Sequence, residues 1–231
     1  MKFYRFTTSL LMVILLYSFF SSAYANEWRL EKDSAGIAVY TRAIQGSEIR
    51  EFKGEVVLDT SLASILAVFE DIENFPKWNH QCSQATLLKQ LNINERYHYQ
   101  SLNLPFPVKN RDLVVYSKVQ QSKQSVIIHS TIAKNFCEQD SSTLCKKVQK
   151  SNNIKVQYAK GKHHFIPQKS GGVKVIWQQH IDPAGQIPIF LVNKLLIDVP
   201  YITLNKLRKF VQQDKYQSAK LEDITKIDPL R

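Results

Sequence analysis

Six segments of strand character follow one another between residues 84 and 181 with no helical pattern between them, and one long apolar helix comes after. The segments 84–90, 95–102, 112–120, 125–133, 154–167 and 172–181 alternate apolar and polar positions or carry β-branched and aromatic residues. Turn residues separate most of them: Asn92-Ile93-Asn94, Gln121-Ser122-Lys123 and Ser170-Gly171-Gly172. Strands that succeed one another without crossover helices make an antiparallel, meandering sheet. Asp182-Pro183-Ala184-Gly185 ends it, and residues 189–213 then read as helix, with Pro188 at the start and Pro200 inside. Leu191, Leu195, Leu196, Val199, Ile202, Leu207, Phe210 and Val211 give this helix an apolar face wider than a surface helix requires. Pro200 predicts a kink or break near Asp198. A strongly curved sheet cannot fill its own concave face, so the last helix is the natural plug. Periodicity leaves open whether the space between them is solid or hollow.

The N-terminal part adds a hairpin, with strands at 37–42 and 48–58 about a Gly46-Ser47 turn. Asp59-Thr60-Ser61 offers N-cap residues for a helix over 62–71, and a short helical piece over 72–79 carries Pro76 and Trp78. The fold class is therefore α+β. Before all this, Lys2 and Arg5 precede an apolar run from Leu10 to Phe20, and Ala23-Tyr24-Ala25 supplies a small-x-small cleavage pattern. Residues 1–25 thus read as a signal peptide, since the apolar run is shorter than the ~20 residues of a spanning helix. The expected organisation is one domain over 26–213 and a polar, frayed tail over 214–231.

Export decides how the charge and the cysteines are read. The chain carries +11, and it stays basic without Lys2 and Arg5. For an exported protein a basic surface points to anionic membrane surfaces, each nearby Lys or Arg adding about 1 kcal/mol. It does not point to nucleic acid, for which no motif is present. In an oxidising compartment, expected here to be the periplasm, Cys137 and Cys145 are expected to pair across a polar hairpin loop (EQDSSTL), leaving Cys82 as a buried thiol.

Several motifs then stand in a telling order. Residues 28–42 (WRLEKDSAGIAVYTR), Phe75-Pro76-Lys77-Trp78-Asn79, Pro105-Phe106-Pro107 with Asn110-Arg111-Asp112, and Gly171-Gly172 leading through Val175-Ile176-Trp177 to Asp182-Pro183-Ala184-Gly185-Gln186-Ile187-Pro188 follow one another. This order resembles START (StAR-related lipid-transfer) domains over about residues 28–213, with the phosphatidylcholine-transfer type most similar. The resemblance implies a helix-grip (START/Bet v 1-like) fold whose hydrophobic tunnel holds one lipid. By the same resemblance, the C-terminal helix and the Pro105–Pro107 loop are expected to cover that tunnel. It also implies that Arg111 meets a lipid phosphate or enters a buried polar pair, since a guanidinium fork suits either. The aromatic cage that recognises choline has no match here, which leaves headgroup specificity open.

The candidate ligand-binding residues follow from this frame. Arg111 is placed in the cavity, and strand alternation puts Asp112 on the opposite face to stabilise the adjoining loop. Phe106 is a candidate lid. Tyr97 and Tyr99 share one strand face, with His98 on the other, and are candidate wall residues with polar tips. Trp177 with Gln179, and Leu191, Leu195 and Val199 on the helix, complete the set. Adjacent His163 and His164 point to opposite strand faces and so do not share a metal ion. No P-loop, dinucleotide fingerprint or serine elbow is present, and no cofactor is expected. The expectation is a monomeric, non-enzymatic carrier of a phospholipid or sterol-like molecule that touches membranes transiently. A helix-grip enzyme of the cyclase or hydrolase kind, or a ligand-sensing envelope module, stays open as an alternative.

Overall fold

The computed structural model describes residues 27–221, so the expected signal segment over 1–25 lies outside the described residues. Ten strands form one sheet: β1 (Arg29–Ser34), β2 (Ile37–Ile44), β3 (Ser47–Leu58), β4 (Cys82–Asn92), β5 (Glu95–Leu102), β6 (Arg111–Ser122), β7 (Ser125–Ile132), β8 (Ile154–Lys155), β9 (Tyr158–Pro167) and β10 (Val173–Asp182). Their order is β1-β2-β3-β10-β9-β7-β6-β5-β4, every pair antiparallel except the short β8, which runs parallel to β6. The expected meander is therefore present, with β3 and β10 joining its two halves. The single strand expected over 154–167 is divided instead. The carbonyls of Asn110 and Asp112 draw Ile154 and Val156 onto β6 before the chain turns into β9.

Alternation gives the sheet two faces. Phe52, Val56 and Leu58 of β3 and Val173, Val175 and Trp177 of β10 point to the concave side, where they are buried. Helices α1 (Leu62–Glu70), capped by the Ser61 hydroxyl, and α2 (Phe75–Trp78) close one end of that side. Helix α5 (Ile189–Phe210) lies across β2 and β3. Its approach is close enough that a Cβ on Gly54 would stand 2.8 Å from Leu204 Cδ1 and 3.3 Å from Pro200 Cβ. Only glycine lets the backbone of β3 sit that near the helix. The break expected near Asp198 does not occur, because α5 runs unbroken through Pro200. Pro200 is buried against β3, and that packing offsets the backbone hydrogen bond the ring removes.

The question that periodicity left open has two answers in one molecule. Under the C-terminal half of α5 the interior is solid, with Leu204, Leu207 and Val211 packed among Ile37, Val39, Ile65, Phe69 and Phe165. Under the N-terminal half, Val192 and Leu196 meet Phe52 and Trp177 at the edge of a hollow. The tail expected to fray is docked as far as it is described. A short helix α6 (Asp214–Gln217) follows α5, and Tyr216 is buried with its hydroxyl donating to Asp71 Oδ2 at 2.9 Å.

The convex side carries the disulfide. Cys137 and Cys145 are bonded, as expected, but between two short helices rather than in a hairpin loop: α3 (Phe136–Gln139) and α4 (Thr143–Lys150). Ser142 is the reason, since its hydroxyl accepts from the Cys145 N–H at 3.2 Å and starts α4 within a stretch that reads as polar loop.

Candidate functional site

The hollow is a run of adjoining chambers bounded by β5, β6 and β10 on one side and α5 on the other. The middle chamber holds about 840 Å3, counting its mouth, and its wall is mainly apolar: Phe52, Leu102, Leu113, Val192, Leu195, Leu196 and Val199. Trp177 and Gln179 line it as well, and the indole Nε1 donates to Gln179 Oε1 at 3.1 Å. Leu191 stands outside this chamber, at the outer opening with Phe106 and Phe190. Phe106 is 97% exposed. Its side chain borders the mouth from outside and does not reach the interior.

Arg111 lies between the mouth and the middle chamber and is 1% exposed. Its Nε donates to the carbonyl of Pro183 at 2.7 Å and its Nη2 to that of Ala184 at 2.7 Å, while Nη1 donates to the carbonyl of Lys109. Three donors of the fork thus fasten the turn before α5 to the loop before β6. Burial pushes the guanidinium pKa down. The residue is first a clasp, and the expected open hook for a phosphate is largely taken up by backbone carbonyls.

Asp112 occupies the opposite face, as alternation requires. It accepts from the Tyr99 hydroxyl at 2.7 Å, Asn153 Nδ2 at 2.8 Å and Lys155 Nζ at 2.6 Å. Burial alone would raise its pKa, but hydrogen bonds from Lys155, Ser151, Asn153 and Tyr99 outweigh that and hold the carboxyl below its ordinary value.

Tyr97 and Tyr99 do not line the cavity, which corrects the expectation for both. They are on the convex face, where Tyr97 stacks on Phe136 at 4.2 Å between ring centroids and Tyr99 packs against Cys137, Cys145 and Val148. The aromatic face of β5 serves to seat the disulfide-linked helices. The concave face of the same strand carries Arg96, His98 and Gln100, and these line an inner chamber. That chamber shares Asn79, Gln100, Leu113, Trp177 and Gln179 with the middle one, so the two adjoin.

The polar side chains of the inner chamber are the functional candidates that residue type alone did not bring forward. Arg96 Nη1 stands 2.5 Å from Glu70 Oε2, and its Nη2 donates to the Phe69 carbonyl at 2.8 Å. Burial, with the Arg96 charge beside it, pushes the His98 pKa down to about 3. His163 is pushed down to about 3 by burial, and its ring stacks on Trp177 at 5.2 Å. The sequence signal was the alternation itself: in 96–101 the even positions read Arg-His-Gln and the odd ones Tyr-Tyr-Ser. Cys82 is buried, and desolvation pushes its thiol pKa up to about 12. Among the described residues no three His, Cys, Asp or Glu side chains cluster as a metal site.

Comparison with known proteins agrees with this geometry. The START domain family model matches residues 21–216. An uncharacterized protein of Pseudomonas aeruginosa is 28% identical over 193 residues, covering 83% of this chain and 90% of the relative. Phosphatidylcholine transfer protein of Rattus norvegicus is 26% identical over 170 residues, covering 72% of this chain and 75% of the relative. Among solved structures, the STAR-related lipid transfer protein (fragment 25–204) from Xanthomonas axonopodis is similar at a TM-score of 0.71 and 30% identity, with 80% of this chain and 99% of that one covered.

Proposed function

The chain belongs to the START domain family, and on that premise we propose that it is an exported, non-enzymatic carrier that encloses one lipid or similar apolar molecule between its sheet and α5. The observation that carries the reading is the apolar middle chamber beneath the N-terminal half of α5, in a molecule whose other half is solid. At ~25 cal/mol per Å2 of apolar surface, enclosing an acyl chain or ring system there contributes many kcal/mol over leaving it in water.

Loading requires an opening, and the mouth supplies the surface for it. Phe106, Ile189 and Phe190 are exposed together there, with Lys109 and Lys194 on the same loop and helix. Exposed aromatic residues beside lysines suit transient contact with an anionic bilayer, after which the Pro105–Pro107 loop and the first turns of α5 part to admit cargo. The disulfide supports an oxidising compartment, consistent with export to the periplasm.

The reading is tested by native mass spectrometry of the protein recovered from its own envelope. A lipid bound at one per chain is the expected result. Protein that is recovered empty, and that also takes up no lipid from vesicles, overturns it.

A further inference from the structure

Charge is divided unevenly along this chain. Residues 118–174 hold eleven lysines, no arginine and two acidic residues, Glu138 and Asp140. The rest of the described chain, 27–117 and 175–221, is balanced, with sixteen Lys and Arg against fifteen Asp and Glu. Three of the eleven lysines meet a carboxylate from outside the segment. Lys118 lies 2.7 Å from Glu95, Lys155 2.6 Å from Asp112 and Lys174 2.9 Å from Glu55. The other eight form no ion pair among the described residues.

The fold gathers them on the convex side. Ala159, Gly161 and His163 of β9 line the inner chamber, so Lys160 and Lys162 point the other way. Strand register sets His129 of β7 opposite Lys162, and Lys118 of β6 opposite His129, so a basic row crosses three strands. Burial pushes the His129 pKa down, and the charges of Lys162 and Lys160 beside it act in the same direction. Lys123 and Lys169 stand at the β6–β7 and β9–β10 turns, and Lys146 and Lys150 are exposed on α4.

Neither the fold nor solubility calls for this pattern. Lysines that blunt a sheet against aggregation belong on its edge strands, and here the edges are β1 and β4. Like charges on neighbouring strand positions cost stability, and a surface built for solubility alone intersperses the two signs. A bilayer is a poor match as well. A convex face meets a plane over a narrow strip only, and the exposed phenyl rings suited to insertion, Phe106 and Phe190, are at the mouth. Lysine without arginine favours long-range attraction and fast encounter over a fixed fork on a phosphate.

We propose that this lysine face docks an acidic protein, a partner whose clustered carboxylates cover β7, β9 and the turns beside them. The contact does not depend on the carrier reading. It leaves the mouth uncovered, because the 12 residues of β6, roughly 35 Å, separate Arg111 at the mouth from the β6–β7 turn.

The test compares two variants with the same loss of charge, Lys160→Gln/Lys162→Gln on β9 and Lys206→Gln/Lys209→Gln on α5. Fluorescent poly-L-glutamate is the carboxylate probe, and vesicles of dioleoylphosphatidylcholine with dioleoylphosphatidylglycerol are the bilayer probe. The β9 variant is expected to bind poly-L-glutamate about tenfold more weakly than wild type, and the α5 variant less than about twofold more weakly. Vesicle association of the β9 variant should stay within about twofold of wild type, and its denaturation midpoint should hold or rise as like-charge repulsion falls. Equal weakening by the two variants, loss of vesicle association by the β9 variant, or a fall in its midpoint overturns the proposal. In the native cell, benzoylphenylalanine in place of Lys160 should photo-crosslink one discrete protein that mass spectrometry identifies as acidic. Crosslinks to lipid alone, to a basic protein or to nothing overturn the proposal too.

Discussion

Arg111 and Asp112 are neighbours in sequence and do different work because a strand turns consecutive side chains to opposite faces. Arg111 joins the Pro183–Ala184 turn and Lys109 from within, and Asp112 ties Tyr99, Asn153 and Lys155 from without. Replacing Arg111 with methionine keeps length and apolar volume but strands three carbonyls. The expected result is a loss of about 2–4 kcal/mol in chemical denaturation, with faster hydrogen exchange in residues 183–188 than elsewhere. Unchanged exchange in that turn would show that the clasp is incidental. The resemblance to the family made Arg111 legible in the sequence, whereas residue type misplaced Tyr97 and Tyr99. A tyrosine suits a pocket wall and a packed convex face equally well, and which face is concave depends on the helices that cover the sheet. Those helices follow 20 or more residues later in the chain and come onto β5 only through tertiary packing.

The same lesson holds for whole elements. Strands and the long helix were legible because their periodicity extends over many residues, and β5 fell on its expected bounds. The paired short helices α3 and α4 were not, because four and eight residues give too little pattern and Ser142 hides an N-cap in a polar stretch. Their stability depends on the covalent link and on Tyr97 and Tyr99 beneath them, against which Cys145 and Val148 of α4 pack. Closing the short loop between Cys137 and Cys145 is worth about 2–3 kcal/mol on chain-entropy grounds. A Cys137→Ala/Cys145→Ala variant is therefore expected to unfold at lower denaturant by about that amount, measured against the same chain with its disulfide intact. The middle chamber is on the opposite side of the sheet, so uptake of octadecane by the variant should be unaffected at low denaturant. Loss of uptake would mean that the convex helices also shape the cavity.

At the scale of the molecule, one end of the concave side is packed solid and the other is open, and the exposed aromatic rings Phe106 and Phe190 stand at the open end. Mutating Phe106 and Phe190 together to aspartate should cut association with anionic vesicles about tenfold or more while leaving the denaturation midpoint nearly unchanged, because both rings are in solvent. Equal vesicle association by the variant would move the membrane contact elsewhere. The inner chamber adds a dependence on pH that its position makes predictable. His98 and His163 titrate near 3 in the folded chain but near the ordinary 6.5 when unfolded. Between those values the unfolded chain binds more protons, so the folded state loses stability as pH falls through the window and regains it as pH rises. Each ring should account for about 1–2 kcal/mol between pH 7 and pH 5. His80, His129 and His164, which desolvation also shifts down, add smaller contributions of the same sign because they are more exposed. The carboxylates with shifted values all lie lower than this window, since Glu55, Asp71, Glu95, Asp112 and Asp140 are depressed. A guanidinium denaturation series from pH 7.5 to 5 is therefore expected to show midpoints falling with acidity in the wild type. The slope should be much flatter in the His98→Phe/His163→Phe variant. If both chains decline in parallel, the two rings are not buried in the folded state as described, and the inner chamber is open to water.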